Sequence, residues 1–167
     1  MPDRPQHTVI REGIIAGALG ATAVALWFLI VDVIAGRPFF TPLTLGRALF
    51  SVLGAIPADE SPLVHLAAYT AFHYIAFAGV GIVAAMIIHA AEEEPAVLAG
   101  ALILFLAFEV GFLGFVALLK ETTGLGDLAW YQITIGNLLA AAAMGTYLWR
   151  THPELREELR HALDGTA

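Results

Sequence analysis

The chain has 167 residues, of which 59% are hydrophobic and 14% are charged, and its formal net charge is −7. A soluble domain of ordinary composition has about 45–50% apolar and about 25% charged residues. Intrinsic disorder is excluded, because disordered chains are poor in apolar residues. A soluble globular enzyme is disfavoured, because too few polar residues remain to cover its surface. Nucleic-acid binding is disfavoured as well, since it requires a basic face.

Four apolar segments are long enough to cross a bilayer as helices, which takes about 20 residues each. They comprise residues 13–35, 63–91, 95–119 and 128–149. The first segment follows two arginines, as in a signal peptide, but it exceeds the about 7–15 apolar residues of such signals, so we expect a retained helix. We therefore predict an all-α integral membrane protein in which residues 1–150 form a single four-transmembrane-helix bundle.

Two further helices are predicted outside the spans. Residues 42–53 carry Leu45, Leu49 and Leu53 on one face, which favours a short interfacial helix after the first span. The tail, residues 151–167, is polar and repeats leucine every four positions. That pattern predicts a C-terminal amphipathic helix that rests on the membrane or docks on a partner helix.

Polar side chains inside the predicted spans form a candidate site, because an ionisable residue in a membrane span is costly and by default suggests a functional role. The set comprises Asp32, His65, Tyr69, His73, Glu109, Gln132 and Asn137. At 1.5 Å per residue, Glu109 lies about 3 Å and His73 about 6 Å from the midplane, on the same side. Most of the set falls in that half of the bilayer, which predicts one shared interior cluster with Glu109 facing His73.

The sequence is compatible with four different roles for this cluster. Hydrogen bonds among these residues could hold the helices together. His65, His73, Glu109 and Asp32 have suitable ligand types for a metal ion. Haem bound between histidines would require a homodimer to supply a second His73. A proton or small-solute pathway through Glu109 is a further alternative.

The remaining histidines and acidic residues near the span ends have simpler interpretations. His89, near the end of the second span, is predicted to be solvated or to interact with the helix dipole. His7, His152 and His161 are predicted to be surface residues. The run Glu92, Glu93 and Glu94 is predicted to be a solvated turn between the second and third spans.

Small residues recur at helical spacing in the spans, which lets helix backbones approach closely. Examples are Gly13 and Gly17 in the first span, Gly79 and Gly81 in the second, and Gly136 with Ala140 in the fourth. This pattern predicts tight packing and no particular activity.

The chain contains no Gly-rich nucleotide loop, no nucleophile elbow and no His-Glu-x-x-His motif. It also has no cysteine, which excludes thiolate-bound zinc and iron–sulfur clusters. We therefore expect no catalytic residue and no cofactor.

The predicted function is that of an accessory or assembly subunit of a larger complex in the bacterial inner membrane, in contact with other membrane subunits or a second copy. A metal- or haem-binding redox protein and a proton pathway are the alternatives.

Four spans place both termini on the same side of the membrane. The distribution of arginine and lysine between the two sides predicts which side that is. The terminal side carries Arg4, Arg11, Arg150, Arg156 and Arg160, and the opposite side carries Arg37, Arg47 and Lys120. Because basic residues are retained in the cytoplasm, both termini should be cytoplasmic. Reporters fused after Ala167 and within residues 58–61 should be active in the cytoplasm and the periplasm, respectively. A reporter after Ala167 that is active only outside the cytoplasm contradicts this topology.

Overall fold

The structure, a computed structural model, describes residues 6–54, 61–94, 96–119 and 130–153. These residues form five α-helices: α1 (Gln6–Ile34), α2 (Phe40–Val52), α3 (Pro62–Glu93), α4 (Ala96–Leu119) and α5 (Trp130–Thr151). The all-helical prediction is confirmed for this part of the chain. The predicted tail helix lies almost entirely beyond residue 153 and so outside the described residues.

Two of the helices, α1 and α3, are long and apolar enough to cross a membrane. α1 begins at Gln6, about two turns before the predicted span, so that Glu12 belongs to the helix. α3 begins at Pro62, where the fixed backbone of proline suits the first helical position.

α1 and α3 form the most extensive helix contact, and glycines bring their backbones together. A Cβ atom on Gly81 would meet the carbonyl oxygen of Gly13 and lie 2.5 Å from the amide nitrogen of Gly17. A Cβ atom on Gly17 would meet the carbonyl oxygen of Phe77. Side chains larger than hydrogen are therefore excluded from this contact. The close packing predicted from the spacing of Gly13, Gly17 and Gly81 is thus observed. Gly79, in contrast, faces open space.

α5 also packs against α1, and it does so through one of its own faces. Gly136, Ala140, Met144 and Leu148 are the buried residues of that face, each four positions after the last. Met144 contacts α1 where Gly20 lacks a side chain, and the aromatic rings of Trp27 and Phe28 lie over Gly136. The indole nitrogen of Trp27 donates a hydrogen bond to the backbone oxygen of Gln132 at 2.8 Å, which fixes the position of α5 along α1.

The connection from α1 to α2 is a tight turn held by Asp32. Gly36 adopts a left-handed conformation (φ 71°), as is common just after a helix. The carboxylate of Asp32 then accepts 2.8 Å hydrogen bonds from both the backbone nitrogen and the hydroxyl of Thr41. Because the first amides of a helix lack partners within it, Asp32 caps α2 from the end of α1.

α2 and α4 complete the arrangement on α3. α2 lies against the start of α3, where a Cβ atom on Gly46 would meet the carbonyl oxygen of His65. α4 follows α3 after a short turn and packs on it only lightly. Four of its apolar side chains are consequently exposed, those of Leu102, Ile103, Leu106 and Val110.

Replacing Gly81 by alanine should destabilise the protein even though alanine is the better helix former by about 1 kcal/mol. The added methyl group would overlap the backbone of α1, and overpacking of this kind costs about 1–3 kcal/mol. Thermal unfolding of the detergent-solubilised protein, followed by circular dichroism, measures the effect. Gly79→Ala is the matched control in the same helix, and it should unfold at the wild-type temperature or slightly above it. Equal unfolding temperatures for Gly81→Ala and Gly79→Ala would contradict the close α1–α3 contact.

Candidate functional site

Three residues of the predicted polar cluster surround one cavity. The cavity has a volume of about 250 Å³ and lies between α1, α2 and the first half of α3. Asp32, Tyr69 and His73 line it, together with mainly apolar side chains of α1. The structure thus brings this part of the cluster together.

His73 supplies the most constrained polar group of the cavity. Its side chain is buried, with 9% of the residue exposed. The Nε2 atom lies 3.1 Å from the carbonyl oxygen of Ala21 on α1. Because a carbonyl oxygen can only accept, Nε2 carries the proton of the neutral ring and Nδ1 is left as a hydrogen-bond acceptor. The ring stacks on Tyr69, with 5.6 Å between the ring centroids, and tilts against Phe77 at 4.7 Å.

The hydroxyl groups around the cavity differ in their partners. The Tyr74 hydroxyl lies 3.0 Å from that of Thr22, and the Thr70 hydroxyl donates to the backbone oxygen of Leu66. Tyr69 lines the cavity, and its hydroxyl has no hydrogen-bond partner among the described residues. Asp32 is only 3% exposed, and both of its oxygens are taken by Thr41. Tyr69 and His73 are therefore the groups available to a bound molecule.

The other predicted cluster residues lie elsewhere. His65 is buried between α2 and α3, where Nδ1 lies 3.1 Å from the oxygen of Ser61 and the ring meets Phe50 edge-on. Glu109 on α4 accepts a 2.9 Å hydrogen bond from the side-chain amide of Asn137 on α5. Gln132 contributes its backbone oxygen to Trp27. The described residues therefore contain an α1–α2–α3 group and a separate α4–α5 pair.

Two expectations drawn from matched depth are not reproduced by the contacts among the described residues. His73 bonds to Ala21 and Glu109 to Asn137, and no hydrogen bond joins His73 to Glu109 within the described residues. The four proposed metal ligands His65, His73, Glu109 and Asp32 do not converge either, since each is held by a different neighbour. The physical reason is that equal depth does not place two side chains on facing sides of their helices.

A second cluster was missed by sequence reasoning. Glu12, His89 and His152 come together at the end of the bundle where α1 starts and where α3 and α5 end. The Nε2 atoms of His89 and His152 lie 3.8 Å and 3.5 Å from the same oxygen, Oε2 of Glu12. Among the described residues, this is the group in which three potential metal-ligating side chains converge.

The interpretation of His152 as a surface residue is wrong, because it is 1% exposed and its side chain is fully buried. His89 is also turned inward, and its ring meets that of His152 edge to face at 4.8 Å. Glu92 points to the same place, with Oε1 3.9 Å from Nε2 of His152. One available signal would have found this group: all of these residues lie at the ends of spans on the same predicted side of the membrane.

Comparison of the chain with protein-family models, characterised proteins and solved structures finds no significant match. Function is therefore inferred from the geometry of these two groups of residues.

Proposed function

We propose that the chain is a polytopic protein of the bacterial inner membrane, in which α1, α3, α4 and α5 cross the bilayer and α2 lies at the interface. The small buried fraction of the two long apolar helices supports a membrane location. Only 28% of the most apolar stretch of α1 and 17% of that of α3 are buried inside the protein. A core helix of a soluble protein would be mostly buried, so the exposed apolar surface calls for a lipid environment.

The aromatic residues at the ends of α5 also support a spanning orientation. Trp130 and Trp149 are 66% and 41% exposed. At 1.5 Å per residue they are separated by about 28 Å, close to the thickness of the hydrocarbon core. Tryptophan is enriched at both membrane interfaces, because its ring is apolar and its N–H group seeks water.

Within this framework, the protein binds a small lipid-soluble molecule in the cavity between α1, α2 and α3. The observation that carries the proposal is a cavity of about 250 Å³ with apolar walls and two available polar groups. An apolar cavity of about 150 Å³ is known to hold benzene, so this one has room for a single substituted ring. Ligand sites generally combine apolar walls with a few well-placed polar groups.

The two polar groups define the class of ligand. The Tyr69 hydroxyl can donate a hydrogen bond, and Nδ1 of His73 can accept one. The two residues are one helical turn apart on α3, and their rings are stacked. A quinone, or a similar ring with a carbonyl oxygen, matches the donor, and its reduced hydroxyl form matches the acceptor as well.

Quinone binding can be measured by the fluorescence of Trp27, which lies on α1 next to the lining residues Leu26 and Phe28. The other two tryptophans are first replaced by phenylalanine, and the protein is placed in lipid nanodiscs. Decylubiquinone should quench Trp27 saturably. Tyr69→Phe should weaken binding about 2–12-fold, because one hydrogen bond contributes about 0.5–1.5 kcal/mol. Tyr147→Phe on α5 is the matched control and should bind as the parent does.

Filling the cavity provides the second test of the same prediction. Ala25 lines the cavity, and Ala25→Phe should abolish saturable quenching. Ala142→Phe adds the same ring to an exposed position of α5 and should leave binding intact. Quenching that rises without saturation in every variant would show partitioning into lipid only and would overturn the ligand proposal.

An accessory role in a larger membrane complex is a second candidate, favoured by the light packing of α4. Its exposed leucine, isoleucine and valine side chains offer an apolar face to another membrane subunit. Van der Waals packing on such a face can drive helix association in a membrane.

The accessory role predicts that the native assembly depends on the tail. Deleting residues 154–167 removes the leucine repeat and should shift the protein to a smaller species on native electrophoresis of solubilised membranes, while membrane insertion persists. The substitutions Leu155→Ala, Leu159→Ala and Leu163→Ala together should have the same effect. Unchanged migration of both variants argues against this role, and loss of insertion would place the tail in the core of the fold.

A further inference from the structure

We propose that Glu12, His89 and His152 form a binding site for one divalent transition-metal ion, with Zn²⁺ as the best match. The site lies at the end of the bundle at which α1 begins and α3 and α5 end, and it shares no residue with the cavity. α1 and α3 each supply one ligand, and the third, His152, directly follows the last residue of α5.

The distances suit a single ion. The three ligand atoms lie within 4.8 Å of one another. The distances from Glu12 Oε2 to the Nε2 atoms of His89 and His152 are 3.8 Å and 3.5 Å, respectively. Zinc bonds of about 2.0–2.1 Å in a tetrahedron place neighbouring ligand atoms about 3.4 Å apart. Small side-chain rotations are sufficient to reach this geometry.

The hydrogen bonds of the two imidazoles prepare them as ligands. Nδ1 of His89 lies 2.9 Å from the carbonyl oxygen of Ala85, and Nδ1 of His152 lies 2.9 Å from that of Leu148. Each Nδ1 therefore donates its proton to the carbonyl oxygen four residues earlier in the chain. Both Nε2 lone pairs are left facing Glu12. A histidine that ligates a metal ion typically has its other nitrogen held by a backbone carbonyl in this way.

The converging atoms are not satisfied by hydrogen bonds to the described residues. Glu12 Oε2, His89 Nε2 and His152 Nε2 are buried and form no hydrogen bond among the described residues. Each is an acceptor in this arrangement, and buried acceptors without a donor are costly. One proton on an imidazole could form a hydrogen bond between only two of these atoms, whereas one metal cation could be coordinated by all three.

The ligand set selects the class of metal. Two imidazole nitrogens and one carboxylate favour zinc and related transition metals over Ca²⁺ and Mg²⁺, which prefer oxygen ligands. The imidazole rings touch edge to face at 4.8 Å, so a porphyrin cannot lie between them. Three protein ligands leave a tetrahedral ion one position for water or a fourth group. Glu92 is the neighbouring carboxylate at that side, 3.9 Å from Nε2 of His152.

Zinc binding is tested on the full-length protein in detergent after chelator treatment. Titration against a chromophoric chelator should give one tight Zn²⁺ site per chain, and thermal unfolding should shift to higher temperature on addition of Zn²⁺. Glu12→Gln, His89→Gln and His152→Gln should each lower the affinity at least tenfold and remove most of the shift.

His65→Gln is the matched control. His65 is a buried histidine of α3, the helix that also carries His89, and its Nδ1 likewise bonds one turn back, to Ser61. Its replacement should leave the Zn²⁺ affinity unchanged. An equal loss of affinity in His65→Gln would show a general effect on the fold and would overturn the assignment.

A measurement on the wild-type protein keeps the test decisive if a variant does not fold. Co²⁺ bound at the site should give visible absorption bands typical of four-coordinate nitrogen and oxygen ligation, and Zn²⁺ should displace it in a one-to-one ratio. Absence of these bands, with no Zn²⁺-dependent shift in unfolding, would show that Glu12 and the histidines form only a proton-bridged ion pair.

Discussion

The close antiparallel contact between α1 and α3 is the constraint on which the rest of the structure depends. Gly13 lies against Gly81, Gly17 against Phe77, and Ala21 against His73. Each step of four residues along α1 is thus matched by a step of four residues back along α3. Both helices have the same rise per residue. The glycines that fix the register at one end of the α1–α3 contact therefore also determine which groups meet at its other end, about 12 Å away.

Both proposed sites follow from this register. Glu12 immediately precedes Gly13 in α1, and His89 lies two turns beyond Gly81 in α3, so the metal-ligand group forms where the glycine contact ends. At the other end, the Ala21 carbonyl orients His73 at the cavity. A slip of one turn between the helices would separate both pairs. The glycines are therefore positioning residues for chemistry that they do not touch.

The remaining helices complete the two sites from outside. α5 packs along α1 through the face that carries Gly136, Ala140, Met144 and Leu148, and His152, which directly follows the helix, is buried beside Glu12. α2 is tied to the end of α1 by Asp32 and Thr41, and its first residues line the cavity. Asp32, which sequence reasoning placed among candidate ligands, acts as a helix cap here. α4 contributes Glu109 to a bond with Asn137 and lies apart from both sites.

The sequence alone determined the five described helices, their approximate ends and most of the small-residue faces, because these properties follow from local composition and from the constant rise of a helix. It thereby predicted that Asp32, Tyr69 and His73 lie near one another. Only the tertiary structure decided how each helix is rotated and which helices adjoin. That is why Glu109 pairs with Asn137 instead of His73, and why His152, an ordinary residue after an apolar helix, is buried against Glu12. Rotation about the axis is set by packing between segments far apart in the chain, and no local pattern encodes it.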